Sequence, residues 1–338
     1  MPDDTSFPAE SLPTAADVTA AAGRIGAFAT KTPVLRSDAV DALAGATVLI
    51  KPEVLQRTGS FKIRGAANHI TQLPAEALKR GVIAYSSGNH AQAVACAAAD
   101  VGAPAVIVMP ADAPKMKIAR TRAFGAEVEL YDRYSENREA IGAGIAAERG
   151  MTLIPPFDHP WTVAGAGTTG LELAQQAAER GITLDAVVVC CGGGGLIAGC
   201  ALALADRSPD TKVYAVEPVD FDDTARSLES GEREGVDPAA RSFCDALLSP
   251  APGALTFAIN HAHLAGGLTV TDAEVAAAMR TAYRDLKLVV EPGGAVALTA
   301  ALTRKIPGQG GAVRSIGVVL TGGNVDPDLY ARVLGEQI

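Results

Sequence analysis

Neither a paired CxxC spacing nor the residue pattern of a secretory signal is found in this sequence. Its five cysteines are an odd number with no CxxC spacing, which argues against a disulfide framework and favours a reducing compartment. The segment from Met1 to Pro13 is polar and acidic, without the basic start and apolar run of a secretory signal. These absences predict a cytoplasmic protein whose cysteines serve in packing.

Positive charge is also in short supply. The formal net charge is −9 at pH 7, and no lysine-rich or arginine-rich block stands out. Such a chain would repel nucleic acid and anionic membrane surfaces, so a small-molecule ligand is expected, with no nucleic-acid or membrane partner. The 338 residues are 48% hydrophobic, enough for a large core in one α/β domain or in two lobes.

The stretch 186–205 has no charged residue and could be taken for a membrane span. Its first half is β-branched, and four consecutive glycines, Gly192 to Gly195, interrupt it. A buried strand followed by a turn and a helix is the better interpretation.

Short β-branched segments alternate with alanine-rich segments, which predicts βαβ units and a largely parallel sheet. The predicted strands are 46–51, 82–86, 105–109, 127–131, 152–154, 186–190, 212–216 and 315–320. Thr14 and Asp17 have the spacing of a variant capping box for a first helix that runs through Phe28. Gly125 is placed to end a helix over 114–124.

Residues 54–151 contain a βαβαβ run of their own, with the turn Thr58-Gly59 near its start and the pair Pro155-Pro156 just past its end. We therefore predict a small domain over 54–151, inserted into a large domain made of 1–53 and 152–338. The cleft between the two domains would be the natural ligand site.

Lys62 is the first candidate for a reactive side chain. It lies in a small, apolar, glycine-bounded segment that leaves it little water. Burial disfavours the ammonium form and lowers the amine pKa, so Lys62 could form a Schiff base with a carbonyl group, including the aldehyde of pyridoxal phosphate (PLP). A solvated surface lysine is the alternative, and Lys51 is the next candidate.

Glycine-rich turns follow several predicted strands. Gly192 to Gly195 open an apolar helix, where backbone amides and the helix dipole could bind a phosphate; a tightly packed turn is the alternative. No Walker A lysine and no GxGxxG pattern is present there. Ser86 to His90 could bind a carboxylate or simply cap a helix. Thr321 would bring its hydroxyl to the ligand-binding edge of the sheet, unless its turn is a plain β-turn.

Five motifs stand in order along residues 15–335: Ser60-Phe61-Lys62-Ile63-Arg64-Gly65, Ser86-Ser87-Gly88-Asn89-His90, Gly192-Gly193-Gly194-Gly195-Leu196, Glu291-Pro292-Gly293-Gly294 and Thr321-Gly322-Gly323-Asn324. Together they resemble the fold-type II PLP enzymes, specifically the serine/threonine dehydratase and serine racemase group, which includes 3-hydroxyaspartate dehydratases. The resemblance implies an α/β fold with two open, twisted, mostly parallel sheets flanked by helices. It also implies a homodimer.

The resemblance assigns cofactor contacts to the matching residues. Lys62 would hold PLP, Phe61 would pack near its ring, and Asn89 would hydrogen-bond its 3′-oxygen. The phosphate would be bound by Gly192, Gly193, Gly194, Gly195 and Leu196. Thr321, where serine is commoner in the group, would face the pyridine nitrogen. A hydroxyl leaves that nitrogen neutral and favours elimination over a long-lived carbanion.

The substrate carboxylate would be bound by Ser86, Ser87, Gly88 and Asn89. Ser87 also matches the serine that protonates Cα in the racemases, so dehydration with side racemisation is possible by resemblance. Lys62 would remove the Cα proton of a β-hydroxy amino acid, and loss of the β-hydroxyl would lead to a keto acid and ammonia.

The implied activity is that of an ammonia-lyase, with L-threonine, L-serine and 3-hydroxyaspartate all open as substrates. Candidates for meeting a second carboxylate are Arg64, Arg133, Ser135 and Arg138, which are alternatively surface residues. The alternatives to a lyase are a serine or aspartate racemase and a non-catalytic PLP-binding sensor.

Glu217, Phe221 and Asp223 match the spacing of that group's divalent-cation site. The two carboxylates and the Phe221 backbone carbonyl would supply hard oxygen ligands for Mg²⁺ or Ca²⁺. An acidic, solvated loop after a strand is the alternative.

Overall fold

A computed structural model describes residues 12–86, 88–113, 115–132 and 134–338, with only the backbone of Lys115 and Met116. The described part forms nine strands: β1 (Thr47–Pro52), β2 (Val82–Tyr85), β3 (Ala105–Pro110), β4 (Glu127–Tyr131), β5 (Thr152–Leu153), β6 (Ala186–Cys190), β7 (Lys212–Pro218), β8 (Gly266–Val270) and β9 (Ser315–Leu320).

The same residues form fourteen α-helices: α1 (Ala15–Ile25), α2 (Asp38–Ala44), α3 (Lys62–Ile70), α4 (Ala75–Arg80), α5 (Asn89–Asp100), α6 (Lys115–Ala123), α7 (Arg138–Arg149), α8 (Pro160–Ala178), α9 (Gly195–Arg207), α10 (Asp223–Ser230), α11 (Ala254–His263), α12 (Asp272–Thr281), α13 (Pro292–Leu302) and α14 (Pro327–Leu334).

The strands form two sheets. One has five strands in the order β1-β9-β6-β7-β8, and the other has four in the order β4-β3-β2-β5. Every strand pair within these two sheets is parallel. The prediction of two mostly parallel sheets flanked by helices is therefore confirmed, and all eight predicted strands are present within a residue or two.

β5 belongs to the four-stranded sheet, because Thr152 and Leu153 pair with Val82 and Ile83 of β2. These two residues lie just outside the range 54–151 of the predicted small domain. The division of the chain into two domains stays a prediction.

β8 is the one strand of the described residues that the sequence pattern does not predict. It begins with Gly266 and Gly267, which are weak strand formers. A Cβ at Gly267 would lie 2.4 Å from the Cβ of Ala225 in α10, so close packing of that helix requires glycine there. The packing of α10 against β8 thus places glycine where a β-branched residue would have marked the strand.

Alternate residues of the five-stranded sheet face two different cores. Val188 and Val318 pack in one core with residues of α12 and α13, whereas Val187 and Val319 pack in another with residues of α8 and α9. Burial on both faces explains why these strands are apolar throughout. The sheet is thus a rigid support for the loops at its carboxyl edge.

Helices α8 and α9 cross at unusually short range. A Cβ at Gly199 would lie 2.3 Å from the carbonyl oxygen of Val163 and 2.6 Å from Cα of Gly167. Real Cβ atoms do not approach backbone atoms so closely, so glycine is required at the crossing. The crossing fixes the direction of α9, whose first residue belongs to the four-glycine run.

Several local predictions are confirmed. Thr14 accepts a hydrogen bond from the amide of Asp17, and Asp17 accepts one from the amide of Thr14, which completes the capping box. Helix α1 ends at Ile25, three residues before the predicted Phe28. Gly125 follows α6 with φ at +86°.

The uncharged stretch 186–205 is strand β6, a turn and most of α9, as predicted. Across the described ranges, none of the helices is long and apolar enough to cross a membrane. All five cysteines are free and buried, in agreement with a packing role.

Candidate active site

A cavity of about 620 Å³ lies where strands from both sheets end. Tyr85 at the end of β2, Cys190 at the end of β6 and Thr321 just after β9 all line it. In parallel α/β sheets this carboxyl edge is where ligands bind. The cavity brings together predicted site residues from distant parts of the chain: Phe61, Lys62, Ser86, Gly88, Asn89, Gly192, Gly193, Gly194, Gly195, Leu196 and Thr321. Ser87 lies outside the described residues.

Lys62 is the first residue of α3, and its Nζ donates a hydrogen bond of 2.7 Å to the carbonyl oxygen of Pro156. Burial lowers the pKa of this amine to about 8. The backbone amide of Phe61, the residue before Lys62, donates to the carbonyl oxygen of Thr321 at 3.0 Å. This hydrogen bond connects the start of α3 to the turn at Thr321. The Phe61 ring centroid lies 5.1 Å from Nζ. The residues around Lys62 therefore supply the desolvated amine that the sequence predicts.

Beneath α3 lies a buried ion network, which we define as Lys51, Glu53, Arg64 and Glu172. Arg64 is fully buried and donates two hydrogen bonds to Glu53, at 2.7 and 2.9 Å, and two to Glu172, at the same two distances. Lys51 Nζ donates to Glu172 at 2.6 Å. Neither cation lines the cavity, so the geometry supports neither Arg64 as the second-carboxylate residue nor Lys51 as the reactive amine.

Asn89 is held by side chains on two sides. Its Nδ2 donates to Glu291 Oε1 at 2.5 Å, and its Oδ1 accepts from Asn324 Nδ2 at 2.7 Å. Arg120 in turn donates to Asn324 Oδ1 at 3.0 Å. Burial, with a smaller contribution from Asp245, raises the pKa of Glu291 to about 7. The orientation of the Asn89 amide is thus fixed, with one Nδ2 hydrogen left over for a ligand.

Side chains of α11 hold the four-glycine loop, Gly192 to Gly195, by hydrogen bonds to its carbonyl oxygens. Thr256 Oγ1 donates to the carbonyl oxygen of Gly193 at 2.7 Å, and Asn260 Nδ2 donates to that of Gly194 at 3.4 Å. Since the carbonyl and N–H of a trans peptide point in opposite directions, the amides of Gly194 and Gly195 face away from α11. These amides begin α9, where unpaired N–H groups and the helix dipole favour an anion.

At Gly193, Gly194 and Gly195 a side chain would disturb the loop. Gly194 has φ at +89°, and a Cβ at Gly193 would lie 2.4 Å from the Phe157 ring. The loop therefore presents backbone only, as a phosphate cradle requires. The sequence revealed the glycines, but Thr256 and Asn260 were not predicted because no spacing rule connects them to the loop.

Thr321 and Cys190 form a contact at the cavity wall. The Cys190 Sγ lies 3.3 Å from Thr321 Oγ1, and both residues are at most 5% exposed. Burial raises the pKa of the Cys190 thiol to about 11, so the thiol is protonated at neutral pH.

The predicted cation-site residues lie at the end of β7, away from the cavity lining. Glu217 is fully buried and accepts hydrogen bonds from the amides of Thr224 and Ala225. Asp223 is 1% exposed, and its Oδ2 has no hydrogen-bond partner. Burial and the neighbouring Asp223 raise the pKa of Glu217 to about 8, while burial raises that of Asp223 to about 7. A bound cation would stabilise the ionised form of these two buried carboxyl groups.

Among the described residues, no cluster of three or more His, Cys, Asp or Glu side chains could hold a metal ion. The predicted site contains only two such side chains, because its third ligand is a backbone carbonyl. The hard oxygen donors and the partnerless Asp223 oxygen fit Mg²⁺ or Ca²⁺.

Besides Lys62, three lysine or arginine side chains from the described part of the chain line the cavity: Lys117, Arg138 and Arg233. Lys117 is paired with Asp245 at 3.0 Å, and Arg138 lies over the Tyr85 ring, 5.6 Å from its centroid. Arg138 was a predicted candidate for a second carboxylate, whereas Lys117 and Arg233 were not.

The other candidates for a second carboxylate are elsewhere. Ser135 donates instead to Asp132 at 2.8 Å and does not line the cavity. Arg133 lies outside the described residues.

Comparison with known proteins agrees with this geometry. Residues 25–322 match the family described as "Pyridoxal-phosphate dependent enzyme". An L-threo-3-hydroxyaspartate ammonia-lyase of Pseudomonas sp is 45% identical over 94% of this chain and 97% of its own. An L-threo-3-hydroxyaspartate ammonia-lyase of Saccharomyces cerevisiae is 42% identical over 96% of this chain and 97% of its own. The solved structure of maize serine racemase, 35% identical, covers 96% of this chain and 98% of its own with a TM-score of 0.89.

Proposed function

Because the chain belongs to the pyridoxal-phosphate dependent enzyme family, we propose that it is an ammonia-lyase that dehydrates a β-hydroxy amino acid, with L-threo-3-hydroxyaspartate as its substrate. The observation that carries the substrate is the set of cationic side chains on the cavity wall, together with the names of the two relatives above. L-serine and L-threonine offer no second carboxylate to such side chains, so we expect them to be poorer substrates.

The cavity residues fit the cofactor. We assign Lys62 as the residue that holds PLP, Phe61 as the side chain beside its ring and Asn89 as the donor to its 3′-oxygen. The phosphate is assigned to the backbone of Gly192, Gly193, Gly194, Gly195 and Leu196. Thr321 is assigned to the pyridine nitrogen. When bound, PLP withdraws electrons from the substrate Cα and makes its proton acidic.

The remaining chemistry falls to the chain itself. Ser86, Gly88 and Asn89 at the start of α5 bind the α-carboxylate, and Ser87 completes that set in our proposal. The Lys62 amine, with its pKa lowered to about 8, accepts the Cα proton. The Cβ–O bond then breaks, and the hydroxyl leaves as water after taking up one proton, which balances the one that the Lys62 amine accepted from Cα. The amino acrylate that results becomes an imine, which water hydrolyses to the keto acid and ammonia.

Arg138 is the residue that we assign to the β-carboxylate of the substrate. Arg138→Met should lower kcat/KM for L-threo-3-hydroxyaspartate by about 10- to 100-fold, the value of a hydrogen bond to a charged group. The same variant should change kcat/KM for L-serine by about twofold or less, because the lost contact exists only with the diacid.

The matched control for Arg138→Met is Arg149→Met. Arg149 lies at the other end of α7, is paired with Glu127 and does not line the cavity. It should leave both substrates unaffected. Equal losses for the diacid and for L-serine in Arg138→Met would contradict the assignment.

Racemisation of serine or aspartate is the second candidate activity, and the similarity to a serine racemase favours testing it. Chiral analysis of recovered substrate separates the two activities, since a lyase leaves the remaining substrate in its original configuration. Keto acid and ammonia release with unchanged configuration would support the lyase. Inversion of configuration without ammonia release would instead indicate a racemase. If neither ammonia release nor inversion is detected, a non-catalytic PLP-binding sensor is the remaining alternative.

We further propose that Glu217, Asp223 and the Phe221 carbonyl bind Mg²⁺ or Ca²⁺. The partnerless Asp223 oxygen supports this site. Calorimetry should detect Mg²⁺ binding to the wild type and its loss in Asp223→Asn. Absence of binding together with activity that EDTA does not change would remove the metal from the proposal.

A cytoplasmic homodimer completes the proposed function. The five buried free cysteines support a reducing compartment. The dimer follows from the family resemblance, and sedimentation analysis of the holoenzyme tests it.

A further inference from the structure

The contact between Cys190 and Thr321 joins two neighbouring strand ends. Cys190 is the last residue of β6, and Thr321 directly follows β9, which pairs with β6 in the five-stranded sheet. Their side chains meet at 3.3 Å on the wall of the cavity that Lys62 also lines. The strand pairing therefore holds the thiol and the hydroxyl in contact.

Either group could donate in this hydrogen bond, and the chemistry of the two groups favours one direction. The buried thiol stays protonated, and sulfur is a weaker acceptor than a hydroxyl oxygen. The better arrangement has Cys190 S–H donating to Thr321 Oγ1. The hydroxyl hydrogen of Thr321 is then free to be donated into the cavity.

We propose that Cys190 is a positioning residue that makes the Thr321 hydroxyl a hydrogen-bond donor toward the cavity, where it favours an unprotonated ring nitrogen on the cofactor. The inference rests on the proposed function, because it takes Thr321 to face that nitrogen. A protonated nitrogen would instead require Oγ1 to accept a second bond and to donate its hydrogen to the Cys190 sulfur, its one side-chain hydrogen-bond partner among the described residues.

The ¹⁵N chemical shift of the ring nitrogen reports this arrangement directly. We would load wild type, Cys190→Ala, Cys190→Val and Thr321→Val with PLP labelled at that nitrogen and record the shift for each holoenzyme. Wild type should give the value of an unprotonated, hydrogen-bonded pyridine. Thr321→Val should move the shift toward that of free pyridine.

Both Cys190 variants should move the shift in the same direction by a smaller amount, because the hydroxyl is no longer directed. The dissociation constant for PLP should rise about fivefold in them, as expected for one weakened hydrogen bond. Cys190→Ser, which keeps a donor, should restore the wild-type shift. Adding Cys190→Ala to Thr321→Val should produce no further change.

Cys191→Ala provides the matched control. Cys191 is buried next in sequence and contacts a threonine hydroxyl, that of Thr224, at 3.2 Å, but it does not line the cavity. Its removal should leave the ¹⁵N shift unchanged.

Two results would overturn the inference and are distinguishable. If Thr321→Val moves the shift and neither Cys190→Ala nor Cys190→Val does, Cys190 only packs, while the placement of Thr321 stands. If Thr321→Val itself leaves the shift unchanged, the placement of Thr321 at the ring nitrogen fails, and the role of Cys190 fails with it. Because the valine variant fills the space of the thiol, a folding defect in Cys190→Ala would not prevent the test.

Discussion

Replacing Arg64 by methionine should destabilise the protein by about 3–5 kcal/mol, the usual cost of breaking a buried ion pair. Arg64 is fully buried and holds Glu53, also fully buried, and Glu172 through four hydrogen bonds of 2.7–2.9 Å. Methionine fills much of the space but pairs with neither carboxylate. Because a typical domain is stable by only about 5–15 kcal/mol, the loss would be a large share of the total.

The loss of unfolding free energy in Arg64→Met should depend on pH through the ionisation of Glu53. Burial, the largest single effect, opposes ionisation of this carboxyl, but the Arg64 guanidinium together with Lys51 and Thr32 outweighs it and holds the pKa below its usual value. Such a group stabilises the wild type above the unfolded-state pKa and loses that contribution on acidification. Without Arg64, burial prevails and the pKa of Glu53 rises, so the variant can protonate it. The variant's protonation narrows the difference in unfolding free energy between the two proteins as the pH falls from 7 toward 5, and the wild-type loss adds to it only below the unfolded-state pKa of Glu53.

Urea denaturation followed by fluorescence of Trp161, the single tryptophan, measures this difference. The matched control is Arg57→Met. Arg57 makes a similar bidentate pair with Asp100, at 2.7 and 3.0 Å, but its side chain is 38% exposed. Its loss should cost about 1 kcal/mol or less. The reasoning fails if Arg64→Met costs no more than Arg57→Met, or if its penalty grows on acidification.

Three further outcomes are expected. Apo-protein should capture PLP faster as the pH rises through about 8, the lowered pKa of the Lys62 amine, in a stopped-flow absorbance experiment; a midpoint above 10 would contradict a desolvated lysine. Gly199→Ala should cost about 3 kcal/mol or more because of the clash with Val163, whereas Gly144→Ala, in open space within α7, should be neutral or stabilising by up to about 1 kcal/mol in urea titrations. Burial raises the pKa of Glu291 to about 7, so the thermal unfolding midpoint should fall as the pH rises toward 7. Glu291→Gln should reduce this dependence of the midpoint on pH. An unchanged dependence in the variant would contradict a raised pKa for Glu291.

The parts of the fold that the sequence predicts are those in which local pattern and tertiary role agree. A strand buried on both faces, such as β6, is apolar along its whole length. The four glycines after it mark the loop to which we assign the phosphate, and three of them stand where a Cβ would come within 3.0 Å of other atoms. β8 escapes prediction because packing against α10 requires glycine where a strand would otherwise carry β-branched residues.

Charged residues are harder to place, because a sequence does not show which partners they meet. Arg64 looks like a candidate for substrate binding, yet its partner Glu172 lies 108 residues away and turns it into a buried structural group. Lys117 and Arg233 line the cavity although no motif contains them. Their positions depend on how α6 and the segment after α10 approach the same cavity, which local pattern does not encode.

Lys62, which we assign to the cofactor, and Arg64 of the buried ion network both lie at the beginning of α3. Lys62 and Arg64 are two residues apart, and two helical steps of about 100° each direct their side chains to nearly opposite sides. One side faces the cavity, where burial lowers the pKa of the Lys62 amine. The other side is fixed to Glu53 and Glu172 by four hydrogen bonds. The lysine that we assign to the cofactor is therefore desolvated on a helix whose opposite side is fixed by four hydrogen bonds to two carboxylates.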